Sequence, residues 1–289
     1  MSNYGGTIKR IRKNKGYTQK EIVGDLFTQA TYSNFESNKS DIMSTNFMHL
    51  LLQLQMSTDE LRYIHNDYQF DEATKIVNSF FNLPYNNRNG ILKVINSIDE
   101  YILNDKENRN IILEELRSVC EALLIVETSG DFKQAREKVN KIWERISFYD
   151  QWYLTDIRMM NVILYFFEDD VVIHITEKLL ERLKNYKEFG DSQRLTTTLM
   201  LNLSLLLIKN EMYSEALERL TTLIESHLQE LNYKPLAVCF NRMAICYSFI
   251  SEGTEKIYTK KIEKLMEIYE DNLFNKMIQD EYKKYSNDT

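Results

Sequence analysis

The sequence predicts an all-α protein, and three observations carry that expectation. Glycine and proline are scarce, 8 and 2 in 289 residues, against average usage of about 7% and 5%. A sheet-rich chain needs turn residues that this one lacks. Apolar residues recur with helical spacing from Ile8 almost to the end, the pattern of amphipathic helices packing one face inward. Finally, segments about 40 residues apart can be laid in register, which marks an array of repeated helical units.

Charge divides the chain in two. The net charge of −7 hides a basic head: Lys9, Arg10, Arg12, Lys13, Lys15 and Lys20 fall in the first twenty residues, with no Asp or Glu among them. Through residue 65 there are eight basic and six acidic residues, +2, which leaves −9 for the rest. Such an asymmetry points to a polyanionic partner met by the head alone. Three cysteines, Cys120, Cys239 and Cys246, form an odd set without framework spacing, as expected of a reducing compartment. MSNYGGTIKRIRKNKG runs into charge without an apolar signal core. The longest apolar run, LMLNLSLLLI at 199–208, is well short of the ~20 residues a membrane helix requires. A cytoplasmic protein without membrane attachment is expected.

The head, residues 1–66, reads as five helices. Ile8, Ile11 and Arg12 begin an amphipathic helix with a basic exposed face, closed by Gly16. Thr18-Gln19-Lys20-Glu21 is a capping box in which Thr18 caps and Glu21 reaches back. A short second helix ends at Val23, and a turn follows around Gly24–Phe27. TQATYSNFE, residues 28–36, reads as a third helix capped by Thr28 with Tyr32 and Phe35 facing the core. IMSTNFMHLLLQL and STDELRYI supply two more, the latter opening on Ser57 and Glu60.

TQKEI, then TYSNFE, then the leucines and STDEL, resembles the Cro/repressor type of helix-turn-helix over residues 5–65. The turn before the third helix departs from that pattern, being one residue shorter and lacking its glycine. NFESNKSDI resembles the version found in Rgg/GadR/MutR-type bacterial regulators. The resemblance implies that the third helix enters the major groove of double-stranded DNA. Its outward residues Gln29, Ala30, Thr31 and Asn34 would then face base edges, with Thr28 and Ser33 beside them. A glutamine or asparagine can read adenine through two hydrogen bonds, while an alanine or threonine methyl can touch thymine. Gln19 resembles the family glutamine that grips a phosphate. Arg10, Arg12, Lys13 and Lys15 are expected to add contacts to the DNA backbone and salt dependence.

HNDYQFDE, residues 65–72, is a polar connector; helical periodicity then continues to the end, and residues 67–289 are expected to form the repeat domain. EALLIVETSGDFKQA from Glu121, NVILYFFEDDVV from Asn161, NLSLLLIKNEMYSEA from Asn202 and NRMAICYSFISEG from Asn241 are offset by 40, 41 and 39 residues. Phe132 and Tyr213 share one position, Ala135 and Ala216 another. An aromatic entering the second helix and a small residue where helices cross resemble a tetratricopeptide-like hairpin, lengthened from its usual period of about 34. Five such pairs are expected between 70 and 270, stacked into a right-handed superhelix with IYEDNLFNKMIQDEYKKY as a C-terminal capping helix.

Asn161, Asn202 and Asn241 fall at one repeat-equivalent position. Two readings stand for this column: amides offered to an extended peptide backbone, or ordinary bonds between neighbouring helices. Around them Tyr165, Leu199, Leu205, Leu206, Val238 and Ile245 could take apolar side chains, and Arg158 could meet a peptide carboxylate. The whole architecture resembles the peptide-pheromone receptors of Gram-positive bacteria, in their Rgg-type branch. That resemblance implies a transcriptional regulator acting as a homodimer, whose repeats bind a short hydrophobic signalling peptide. Its implied partners are a DNA operator, the peptide, a second copy and RNA polymerase. A ligand-free dimeric repressor and a repeat scaffold capturing a whole protein are the alternatives. No phosphate-binding glycine loop, nucleophile elbow or pair of catalytic carboxylates is visible, so neither an enzyme nor a cofactor is expected. His174-x-x-Glu177 lacks a matching pair on another helix, so no metal site is expected either.

Overall fold

A computed structural model describes residues 3–24, 27–83, 88–104, 109–190, 192–228, 231–251 and 253–287, and Asp170 and His227 by backbone alone. Among them every regular element is helical. Contacts divide the chain into two compact units, Met1–Cys120 and Glu121–Thr289. This boundary falls well beyond the polar connector at 65–72.

The first unit opens with α1 (Gly5–Asn14), α2 (Gln19–Val23), α3 (Gln29–Glu36), α4 (Ser44–Gln53) and α5 (Thr58–His65). Three of them, α2, α3 and α5, start on the caps the sequence predicts. Thr18 accepts from the Glu21 amide while the Glu21 carboxylate takes the Thr18 amide, and Thr28 and Ser57 accept from Thr31 and Glu60. Each such cap contributes about 1 kcal/mol by satisfying donors that the first turn leaves unpaired. Ile8, Ile11, Ile22, Val23, Tyr32, Phe35, Leu50, Leu51, Leu54 and Leu61 form one buried cluster. α1 packs on α3 and α5, and α2 packs on α3 and α4. Residues 25 and 26, in the expected turn between α2 and α3, lie outside the described residues. α6 (Glu72–Phe81) and α7 (Arg88–Asn104) follow as a packed pair.

The helices then continue as α8 (Ile111–Ser129), α9 (Phe132–Ser147), α10 (Leu154–Ile163), α11 (Asp169–Leu183), α12 (Ser192–Lys209), α13 (Tyr213–His227), α14 (Tyr233–Ile250), α15 (Glu255–Tyr269) and α16 (Asn272–Tyr285). Hairpin neighbours pack together, as in α12 with α13 and α14 with α15. First helices also pack in series, α10 on α12, α12 on α14 and α14 on α16. This is the layering of a helical repeat: one hairpin cannot enclose its own apolar face, so the next one covers it. Ala135 and Ala216 are fully buried, as their position at a close crossing requires. Tyr213 stacks on Phe249, rings 4.1 Å apart.

Candidate functional site

In the head, the electrostatics are organised around a buried ion pair. Arg12 is 7% exposed and Glu36 2%. The Arg12 Nε and Nη2 donate to the two Glu36 oxygens at 2.5 and 2.9 Å, and Nη1 donates to the Tyr17 carbonyl. Burial alone would raise the Glu36 pKa, but the bonds from Arg12 and Gln19 outweigh it and hold the carboxyl below its ordinary value. Arg12 is therefore not the backbone-contacting cation expected from sequence. It faces inward because Glu36, at the end of α3, would otherwise be a buried unpaired charge.

The same carboxylate fixes part of the exposed surface. Gln19 Nε2 donates to Glu36 Oε2 at 2.8 Å, which turns Gln19 Oε1 outward to accept from Gln29 Nε2 at 3.3 Å. Gln29 keeps its own Oε1 and a second N–H for a partner outside, the pair that matches adenine in the major groove. Thr28, Ala30, Thr31 and Asn34 are exposed beside it, and Ser33 is half-buried. The expected basic flank is smaller than the sequence suggests. Arg10 donates to the Ile64 carbonyl and Lys15 to that of Leu54, so each cation meets the carboxyl end of a helix, α5 and α4 respectively. Lys13 is exposed on α1.

Two residues that position this surface went unnoticed in the sequence. A Cβ at Gly5 would lie 1.9 Å from the Phe35 carbonyl oxygen, so only glycine lets α1 approach the end of α3. Asn38, with φ +58°, turns the chain after α3, and its Oδ1 accepts from the Gly6 amide at 2.9 Å. The Gly5-Gly6 pair in MSNYGG was the available signal.

In the second unit, α12 answers why an apolar run contains an asparagine. Within the apolar run its buried positions are 199, 200, 203, 204, 207 and 208, a helical stripe that leaves Asn202 on the opposite face, exposed. There Asn202 Nδ2 donates to Asn161 Oδ1 at 3.1 Å. Two members of the expected column are thus joined across one repeat. Asn241 is not the third: it is 1% exposed, and the joint is made by Arg242, which donates to the Leu201 carbonyl and binds Glu281 through two nitrogens.

Among the expected apolar neighbours, Tyr165 is 56% exposed and lies 5.6 Å from the Phe132 ring, centre to centre. Arg158, Leu205, Leu206 and Val238 are half-buried. Leu199 and Ile245, at 1% and 0% exposed, are not surface residues. Leu199 belongs to the inward stripe of α12, and Ile245 packs with Leu203, Leu207, Ile208, Ala216 and Cys246. Burial pushes the Cys239 and Cys246 thiols up to about 12, so both act as packing groups. Glu177 accepts from Arg219 at 2.8 Å. No described helix is long and apolar enough to cross a membrane.

Comparisons with known proteins fit this geometry. Residues 104–284 match the family model for the C-terminal domain of the HTH-type transcriptional regulator Rgg. No curated protein matches the sequence. Among solved structures, a candidate transcriptional regulator from Listeria monocytogenes EGD-e is 19% identical with a TM-score of 0.73, covering 98% of each chain. The SHP pheromone receptor Rgg2 of Streptococcus dysgalactiae is 16% identical with a TM-score of 0.71, over 97% of this chain and 99% of that one. Bacillus thuringiensis PlcR, solved with the peptide PapR7 and DNA, is 15% identical with a TM-score of 0.69, over 96% and 99%. The fold is therefore shared along nearly the whole length.

Proposed function

This chain belongs to the Rgg family of HTH-type transcriptional regulators, and from that premise we propose a peptide-gated dimer that reads double-stranded DNA. The head, residues 1–66, docks α3 in the major groove, and the repeats, residues 67–289, receive a short hydrophobic peptide and hold two copies together. The observation that carries the DNA half is the Glu36–Gln19–Gln29 relay, which presents one acceptor and one donor of Gln29 outward. For the peptide half it is the exposed Asn161–Asn202 pair with Tyr165, Leu205 and Leu206 around it. PlcR, of the same fold, was solved with a peptide and DNA together, which supports both halves. Peptide binding would bias the stacking of successive repeats and so the separation of the two heads. Half-sites lie about 34–36 Å apart or at multiples of that distance, so a shift of several ångströms alters operator affinity. RNA polymerase is the partner through which bound protein would act on transcription.

A second reading is favoured by the same Asn161–Asn202 bond. The two amides already satisfy one another across a repeat, so the column would be structural and the protein a ligand-free dimeric repressor. A thermal-shift screen against short apolar synthetic peptides, with Asn202→Ala alongside, separates the two. A peptide at about 100 times its dissociation constant adds about 2.7 kcal/mol. The proposal expects one that stabilises wild type and not the variant. Equal stabilisation of both would move the site elsewhere, and a flat screen with a DNA-binding dimer would favour the second reading.

A further inference from the structure

The connector at 65–72 reads as a polar spacer, yet its backbone is bonded throughout. Residues 57–83 contain no glycine, the residue that makes a linker a flexible coil. The amides of Asn66, Asp67, Tyr68 and Gln69 donate to the carbonyls of Arg62, Ile64, Tyr63 and Asn66 at 3.2, 3.1, 2.9 and 3.1 Å. Asp67 and Tyr68 take φ values of +52° and +61°, a left-handed backbone that a tyrosine keeps only where its surroundings hold it. Tyr68 is held by its bond to the Tyr63 carbonyl and by an edge contact with the Tyr63 ring. The Phe70 ring lies against the same tyrosine, 5.2 Å away centre to centre.

Contacts fasten both ends of this turn. Behind it, Thr7 and His65 share a hydrogen bond at 2.8 Å, the Tyr4 and His65 rings lie 4.6 Å apart, and Arg10 donates to the Ile64 carbonyl. The end of α5 is thereby tied to α1. Ahead of it, Asp71 caps α6 by accepting from the Thr74 amide and hydroxyl, and the same carboxylate pairs with Arg62 of α5 at 2.7 Å. An exposed ion pair contributes little to stability, but several contacts converging on one turn fix its angle. We infer that Arg62, Tyr63, Phe70 and Asp71 are positioning residues that clasp α5 to α6, so that the head and the α6–α7 pair move as one rigid piece. Both lie in the compact unit Met1–Cys120. Any change in the separation of two heads is then delivered to that piece whole and is not absorbed at residues 65–72. The clasp stands on its own contacts and does not depend on what the repeats bind.

The test is a pulsed-dipolar distance measurement on the full chain, spin-labelled at Lys20→Cys of α2 and Lys93→Cys of α7. Both positions are exposed, and the three native cysteines are buried and escape the label. Excess unlabelled chain removes distances between copies. A second labelled pair, Lys20→Cys with Glu60→Cys, lies inside the head and serves as the yardstick. The Lys20–Lys93 distance should form one population as narrow as the Lys20–Glu60 distance. Arg62→Gln combined with Phe70→Ala should broaden the Lys20–Lys93 distribution at least twofold and leave the Lys20–Glu60 distribution unchanged. A wild-type Lys20–Lys93 distribution at least twofold broader than the yardstick would overturn the proposal, as would a double variant as narrow as wild type. So would broadening of both distances together, which would mean that these contacts only keep the head folded.

Discussion

Arg12 and Arg242 are 7% exposed alike, and each binds one glutamate through two nitrogens while a third donates to a backbone carbonyl. The difference lies in what the carboxylate does next. Glu36 is also held by Gln19, which orients Gln29 on the exposed face of α3. Glu281 sits on α16, and its bond to Arg242 ties that helix to α14 and, through the Leu201 carbonyl, to α12. The head uses a buried charge pair to fix the side chains of Gln19 and Gln29, whereas the repeats use one to stack helices. Enclosure differs too: the Glu36 side chain is 1% exposed and that of Glu281 16%.

Removing the cation from each pair breaks this comparison most directly. Arg12→Met leaves Glu36 as a buried unpaired charge and should cost about 3–5 kcal/mol, with DNA binding lost as the head loosens. Arg242→Met should cost about 2–3 kcal/mol, because water reaches Glu281 more easily, and should leave the Gln19–Gln29 contact intact. Chemical denaturation of both variants, read beside DNA affinity, checks the pair. An Arg12→Met protein that binds DNA normally would contradict the relay.

Gly5→Ala sharpens the contrast from the packing side. The new Cβ would overlap the Phe35 carbonyl oxygen and force α1 from α3, at about 1–3 kcal/mol. The loss should appear in the melting of the head, with the repeats unaffected.

Acidity offers a further test. The folded pKa of Glu36 is depressed, so its stabilising contribution is full above the unfolded value, about 4.3. It is lost as pH falls through the folded value. Melting curves between pH 6 and 3 should therefore fall more steeply for wild type than for Glu36→Gln. Parallel curves would mean that the pair contributes nothing to acid sensitivity. The smallest effect is expected at Asn202→Ala. An exposed amide pair can contribute only about 0.5–1.5 kcal/mol, so stability should barely move while peptide response disappears.

The sequence made some of this legible and not the rest, for physical reasons. Capping at Thr18, Thr28 and Ser57 is local chemistry, so those helix starts followed directly. The repeat register was legible because stacking demands the same small residue at the same crossing, as at Ala135 and Ala216. Arg12 was misplaced because its partner is 24 residues away, and no helical period reports such a pair. The burial of Leu199 and Ile245 is not legible in the sequence because α12 and α14 are apolar on several sides, which blurs the inward stripe. Asn241 kept its register but lost its exposure. Asn241 lies beside α15 and α16, and the terminal helix α16 has no counterpart in the other repeats.

The most direct measurement of the central claim begins with selection of double-stranded DNA by the purified chain, followed by anisotropy titrations with wild type and Gln29→Ala. The account predicts one enriched site containing adenine opposite Gln29. Affinity should fall by about 1–3 kcal/mol in the variant, with relaxed preference at that base and unchanged melting. No enriched sequence, or equal affinity for wild type and Gln29→Ala at that site, would contradict it.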